Sequence, residues 1–195
     1  MLPYYIYKLI TKLIRPFIAF YILIRISKGK EDRSRIAERY GTSDVERKEG
    51  KVIWFHAASI GESLSILPLL SKLNSDKSID QIILTTGTLT SANILKDKLS
   101  KKIIHQYIPF DIPSYVNKFL NHWSPTLAVF VESEIWPNFL IELKKRNINS
   151  LIVNGRMTIK SFKRWTMLSG LSKRLFSNFS ACCTQNSDSA FFMKN

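Results

Sequence analysis

From residue 52 onward the chain alternates short unbroken apolar runs with longer stretches in which apolar positions recur at helical spacing. The runs Val52–His56, Gln81–Thr86, Ile103–Tyr107, Leu127–Glu132, Ser150–Asn154 and Ala181–Thr184 predict strands. The stretches Glu62–Asn74, Thr90–Leu99, Pro113–Asn121, Pro137–Arg146 and Ile159–Asn178 predict helices between them. Strands without polar alternation are buried on both faces, and strict alternation of strand and helix yields a parallel sheet. The expected fold class is therefore α/β, a Rossmann-like parallel sheet with flanking helices. In such sheets ligands sit beyond the carboxyl ends of the strands. Five strand-to-helix turns thus become candidates: Ser59-Ile60-Gly61-Glu62, Thr85-Thr86-Gly87-Thr88, Pro109-Phe110-Asp111, Glu132-Ser133-Glu134 and Asn154-Gly155-Arg156.

A different pattern precedes the polar link Thr42–Gly50. Residues 1–26 interleave apolar runs with Lys8, Lys12, Arg15 and Arg25, and the uncharged stretch Pro16–Ile24 is shorter than the roughly 20 residues of a relaxed membrane span. Snorkelling cations and the tyrosines Tyr4 and Tyr5 predict an interfacial or marginally spanning helix. No small-residue cleavage site follows, and the basic segment Ser27–Arg39 implies a cytoplasmic face for what comes after. A soluble helix packed on the domain is the plainer alternative. The organisation expected is a membrane-anchoring helix with a basic linker over residues 1–49, then a Rossmann-like domain over 50–195.

Charge narrows the picture less than its size suggests. The formal net charge of +14 would attract nucleic acid, anionic lipid or phosphorylated substrates alike. The cations are divided among the N-terminal segment, its flank and one late helix, with no nucleic-acid motif, so a basic nucleic-acid-binding module is a remote alternative. Cys182 and Cys183 are adjacent and poorly placed to bridge, while His56, His105 and His122 lack metal-ligand spacing, so no metal is expected.

Among the turns, Glu62 opens a helix, where the macrodipole favours its ionised form, and Gly61 lets a ligand approach the backbone. A carboxylate there could take a proton from a sugar hydroxyl, or simply complement the helix. Ser59 lacks the G-x-S-x-G setting of a serine nucleophile, because Ala57 stands where the first glycine belongs. Thr86 and Thr88 around Gly87 suit a phosphate or sugar but equally serve as caps. With no G-x-G-x-x-G and no Walker lysine, a nucleotide must bind elsewhere. Period-two geometry would send Glu132 and Glu134 to one face, and carboxylates close together, or close to Glu62, would push one another toward the protonated form. Arg156 heads a run, Gly155 to Asn178, with cations and no acid, which is either a solvated helix or a site for acceptor phosphates.

Taken in order, H-A-A-S-I-G-E (His56 to Glu62), T-T-G-T, Y-x-P-F-D-x-P (Tyr107 to Pro113), E-S-E-I-W-P-N (Glu132 to Asn138) and N-G-R (Asn154 to Arg156) resemble the 3-deoxy-D-manno-octulosonic acid (Kdo) transferases. The resemblance implies the N-terminal half of a GT-B glycosyltransferase that transfers Kdo from CMP-Kdo to a lipid A precursor with inversion, without cofactor or metal. It implies Glu62 as general base and Glu132 as an aid at the transition state. Ser59, Gly61, Thr86, Thr88, Glu134 and Arg156 are the corresponding substrate-binding candidates. It also implies a bacterial inner-membrane location at the cytoplasmic face, with anionic lipids as partners and no nucleic acid. The sequence ends at Asn195, so the donor-binding half expected to hold CMP-Kdo is not in it. A non-catalytic fragment that binds only the acceptor lipid is the alternative.

Overall fold

The computed structural model describes residues 2–167 and 169–194. Strands β1 (Val52–His56), β2 (Gln81–Thr86), β3 (Ile103–Tyr107), β4 (Leu127–Val131), β5 (Asn149–Gly155) and β6 (Ala181–Thr184) form one sheet in the order β3-β2-β1-β4-β5-β6, with every pairing parallel. Four predicted strands have the expected bounds. β4 ends one residue early and β5 is longer at both ends. In this order the chain runs outward from β1 to β3, returns, and continues from β4 in the other direction. The connections therefore part at the β1/β4 boundary, where an open α/β sheet leaves a crevice.

Both faces of the sheet are covered at the central strands β1, β2 and β4, as their uninterrupted apolar runs require, whereas the edge strand β6 leaves Ala181, Cys182 and Cys183 exposed, contrary to the burial expected of that run. On one face Val52, Trp54, Ala128 and Phe130 pack against α7 (Pro113–Trp123), α8 (Pro137–Lys145) and α10 (Ser169–Phe176) through Phe119, Trp123, Phe139, Leu140 and Leu175. On the other face Phe55, Ile82, Leu84 and Val129 meet Leu70 and Leu95 of α5 (Leu67–Asn74) and α6 (Leu89–Leu95). Trp54 is fully buried among the rings of Phe119, Phe130 and Phe139, and its indole N–H donates to Thr85 at 2.9 Å. Trp54→Ala should therefore lower stability by about 3–5 kcal/mol, read as a lower urea midpoint with an unchanged slope.

Several helices differ in extent from the sequence expectation. The helix expected over Glu62–Asn74 is two, α4 (Ile60–Ser65) and α5, divided at Ile66 because Pro68 has no amide to donate backward. The helix expected over Thr90–Leu99 ends at Leu95. The one expected over Ile159–Asn178 is α9 (Ile159–Met167) and α10, with Leu168 between them outside the described residues.

The N-terminal segment is not one helix either. α1 (Leu2–Ile14) and α2 (Ile18–Ser27) are separated by a 3-10 turn, Arg15–Phe17, around Pro16. No helix among the described residues is long and apolar enough to cross a membrane. Both helices lie along the domain. Tyr4 joins the main core, Tyr7 and Thr11 bond to Asp111 and Asn138, and Ile18 and Ile22 pack on Ile112 and Tyr115. Their other side leaves Leu9, Leu13, Phe17, Phe20 and Leu23 more than half exposed.

The basic segment that follows is also built into the fold. Glu31, buried, bridges Arg25 at 2.6 Å and Arg39 at 3.0 Å. Arg39, in the short helix α3 (Ile36–Arg39), reaches the carbonyls of Ile108 and Gly87 at 3.1 and 2.8 Å. Arg35 pairs with Glu38 and donates to the His105 carbonyl. Arg35 and Arg39 thus fasten the segment to β3 and to the turns that follow β2 and β3, while Arg25 of α2 is tied to it through Glu31.

Candidate active site

The β1 turn is built by a capping box. Ser59, in an extended conformation, caps α4 by accepting from Glu62 N at 3.3 Å, while Glu62 reaches back to accept from Ala58 N at 2.9 Å and from the Ser59 hydroxyl at 2.8 Å. Glu62 is 9% exposed. Burial raises its proton affinity, the two hydrogen bonds oppose that, and the charges of Glu134 and Glu132 add to it, so its pKa lies above the usual carboxylate value. A carboxylate held in this state takes up a proton more readily than a solvated one.

Across the β1/β4 boundary the second turn brings the other acids. β4 stops at Val131, and Glu132 adopts a left-handed conformation with φ of 58°, an uncommon one for a side chain of this type. Its amide is held by the Val153 carbonyl at 3.0 Å, and the Ser133 hydroxyl donates to the Arg156 carbonyl at 2.7 Å. The turn, rather than the expected period-two alternation, therefore sets the positions of Glu132 and Glu134, because the strand ends before either residue. Both still act electrostatically on Glu62. Glu134 accepts from the Trp136 indole at 2.9 Å and stands 3.5 Å from His56 Nε2. Burial raises the pKa of Glu134, but the contacts with His56 and Trp136 outweigh it and hold the group below the usual value.

The remaining sequence candidates separate. Thr86 is fully buried, and its hydroxyl meets His105 Nε2 at 2.9 Å, so it faces the outer strand β3 and not the glutamates. Thr88 is exposed and caps α6 by accepting from Ser91 N at 3.1 Å, the plainer of its two readings. Gly61 is exposed, with nothing within 4 Å of the position a Cβ would take, so no close approach in the chain itself demands glycine there. Gly87 is the tighter position: a Cβ would lie 3.1 Å from the Ala58 carbonyl, to which the Gly87 amide donates at 3.2 Å. Arg156 is exposed and joins the β4 turn only through its carbonyl. Glu62, Glu132 and Glu134 are brought together. Ser59 supports Glu62, and Arg156 stands at the rim.

Two participants were missed from sequence. His56 opens the H-A-A-S-I-G-E segment without a role of its own in the sequence reading, yet as the last residue of β1, two positions after Trp54, it sets its Nε2 3.5 Å from Glu134 of the β4 turn. Trp136, given only as part of E-S-E-I-W-P-N, stands at the N-cap of α8 and sets its ring 5.5 Å from that of His56. Among the described residues no group of three or more His, Cys, Asp or Glu side chains is placed to hold a metal ion.

Fold and site together define a doubly wound α/β domain with an acidic cluster at its topological switch point. The chain belongs to the family described as 3-Deoxy-D-manno-octulosonic-acid transferase (kdotransferase), whose model matches residues 34–194. It is 36% identical over 179 residues to a protein of Arabidopsis thaliana named "Probable 3-deoxy-D-manno-octulosonic acid transferase, mitochondrial", covering 91% of this chain and 40% of that protein. The "3-deoxy-D-manno-octulosonic acid transferase" of Rickettsia bellii is 36% identical over 181 residues, covering 93% and 43% respectively. The Haemophilus influenzae protein of the same name is 30% identical over 183 residues, again covering 93% and 43%. The chain thus spans less than half the length of these relatives.

Proposed function

We propose that this chain forms the acceptor side of a Kdo transferase, in which Glu62 is the general base. The observation that carries this reading is a buried carboxylate of raised proton affinity at the switch point of the sheet. In the proposed reaction a hydroxyl of the lipid A precursor loses its proton to Glu62 as its oxygen bonds to the anomeric carbon of Kdo. The bond from that carbon to the cytidylate oxygen breaks on the opposite side, so configuration inverts and CMP leaves with the electron pair. Ser59 and Ala58 keep Glu62 aimed, and Glu132 and Glu134 maintain the local negative charge that favours proton capture. Arg156 at the rim suits an acceptor phosphate. CMP-Kdo is assigned to a donor-binding half outside these residues, and no metal takes part.

Transfer of Kdo from CMP-Kdo to the lipid A precursor, assayed with an enzyme carrying these residues and a donor-binding half, tests the reading. An inverted product is expected. Absence of Kdo transfer, or retention of configuration, overturns it.

The proposal places the domain at the cytoplasmic face of the bacterial inner membrane, resting on α1 and α2. Their outward apolar side, flanked by Lys8, Lys12 and Arg15, suits an anionic lipid surface. The triple variant Leu13→Ser, Phe17→Ser, Phe20→Ser should bind anionic vesicles roughly a hundredfold more weakly or worse, since each side chain is worth about 1.5–3 kcal/mol when fully buried. Co-sedimentation measures this, and unchanged binding rejects the surface.

A further inference from the structure

Beside the acid cluster, toward the β2 side of the crevice, lies a cavity of about 140 Å³ that is lined by none of Glu62, Glu132 and Glu134. Its walls include three aromatic rings: Tyr21 of α2, Phe110 from the turn after β3, and Trp136. Tyr21 and Phe110 meet edge to face at 5.9 Å. Two lining residues connect the cavity to the glutamates. Trp136 donates to Glu134, and Gly87 donates to the carbonyl of Ala58, whose own amide holds Glu62.

The charged groups of the lining are Arg25, Arg39 and Glu31. Two guanidiniums share one carboxylate, so one positive charge is in excess. Arg39 is committed to the fold: its side chain is 5% exposed and bonds to Glu31 and to the carbonyls of Ile108 and Gly87. Arg25 is the open arm. Glu31 holds its Nε at 2.6 Å, but its terminal nitrogens reach only the Tyr21 hydroxyl and the Lys30 carbonyl, both at 3.4 Å, near the limit of a hydrogen bond. With its side chain 24% exposed, Arg25 keeps N–H groups that a ligand can take over. A guanidinium fork matches phosphate oxygens, and aromatic walls beside it suit the apolar face of a sugar ring.

Position supplies the source of such a ligand. At 3.6 residues per turn, Tyr21 and Arg25 lie on the flank of α2 between buried Ile18 and Ile22 and outward Phe17 and Phe20. A lipid whose chains enter the surface on which Phe17 and Phe20 rest can set its headgroup into the cavity. Arg156 follows β5, on the far side of β1 and β4 from β2, so the two arginines flank Glu62 from opposite sides.

We propose that the cavity between α2 and Trp136 is a subsite for a phosphorylated sugar of the acceptor headgroup, in which Arg25 grips the phosphate and the aromatic walls border the ring. At about 140 Å³ it is well below the roughly 300 Å³ of a pocket that encloses a whole drug-sized ligand, so it takes the phosphate and the near edge of the ring. The role in transfer rests on the acceptor-side assignment above, but binding of the sugar phosphate can be read without it.

Titration of the 15N-labelled chain with glucosamine 1-phosphate should shift the Trp136 indole N–H resonance to saturation. Glucosamine, which lacks the anion, should bind roughly 10- to 100-fold more weakly, the worth of a charge-assisted hydrogen bond. Arg25→Gln should lose that preference, and Arg25→Lys, which keeps the charge but not the fork, should fall between. Inorganic phosphate and glycerol 3-phosphate, which lack the ring, should bind about tenfold more weakly than the sugar phosphate. An unmoved Trp136 signal in the wild type, or a phosphate preference that survives in Arg25→Gln, overturns the subsite. Equal affinity for the three phosphates would mark a general anion or phospholipid site and overturns the sugar assignment. In an enzyme that also carries a donor-binding half, Arg25→Gln should raise KM for the lipid A precursor roughly 10- to 100-fold, with a smaller effect on kcat, and should have little effect on a precursor stripped of phosphate. Equal losses with both acceptors would reduce Arg25 to a structural ion pair and overturn the subsite. Failure of the wild-type enzyme to transfer Kdo would refute the transferase reading instead, with the titration unchanged.

Discussion

Glu62→Gln should reduce transfer by about 10²–10⁴-fold, the range of a positioned general base, without destabilising the domain at pH 7. The second half of the expectation follows from the direction of the pKa shift. Glu62 binds its proton more tightly in the folded chain than in the unfolded one. Stability from this group is therefore complete below the unfolded pKa, near 4.5, and is lost as pH rises through the higher folded value. At neutral pH the fold carries an ionised group whose burial disfavours it. Glutamine is neutral, keeps an oxygen for the Ala58 amide, and removes that penalty. Thermal unfolding at pH 5 and pH 7 should show a smaller decline in the variant than in the wild type, alongside the lost rate. A variant that loses rate and stability together would mark Glu62 as chiefly a helix cap, and one that retains full rate would remove it from catalysis.

That contrast reflects what a linear pattern can and cannot carry. Buried parallel strands announce themselves because both faces demand apolar residues, so β1 and β2 have their expected ends, while the short apolar run of β6 has its expected ends as an edge strand that leaves Ala181, Cys182 and Cys183 exposed. The order of the strands in space does not follow from those runs, and with it stays hidden which two of the five turns border the crevice. Once β1 and β4 are neighbours, Glu62 and the acids of Glu132-Ser133-Glu134 become one site, and Thr86 falls to the outer side against His105. The basic flank shows the opposite limit. Arg25, Arg35 and Arg39 read as surface charge, but their partners Glu31 and Glu38 lie only three to eight residues away and turn them inward. Composition counts charges without pairing them.

Asp111 is the residue whose removal should harm the fold most through polar contacts alone. Helix α8 begins with Pro137 and has no side-chain cap of its own at Trp136. Asp111, from the turn after β3, supplies the cap from a distance: Oδ2 accepts from Asn138 N at 3.0 Å and Oδ1 from Phe139 N at 3.1 Å. Oδ2 also accepts from the Tyr7 hydroxyl of α1 at 2.8 Å, so one carboxylate joins β3, α8 and the N-terminal helix. Asp111→Ala would strand two buried amide donors, each worth about 1–3 kcal/mol when unpaired, and the part-buried Tyr7 hydroxyl. Part of that loss is offset, because burial raises the Asp111 pKa from 3.8 to about 6 despite those hydrogen bonds, so its ionised form is disfavoured in the fold above that pH. A net loss of roughly 3 kcal/mol at pH 7 is expected, a large share of the stability of a domain this size. The sign of the linkage adds a second check. Stability contributed by Asp111 declines as pH rises from about 4 to about 6, and that part of the slope should vanish in Asp111→Ala. Tyr7→Phe, which removes a single donor and leaves the cap in place, should cost about 1 kcal/mol. Equal losses in the two variants would mean that the anchoring of α1, and not the capping of α8, is what Asp111 contributes.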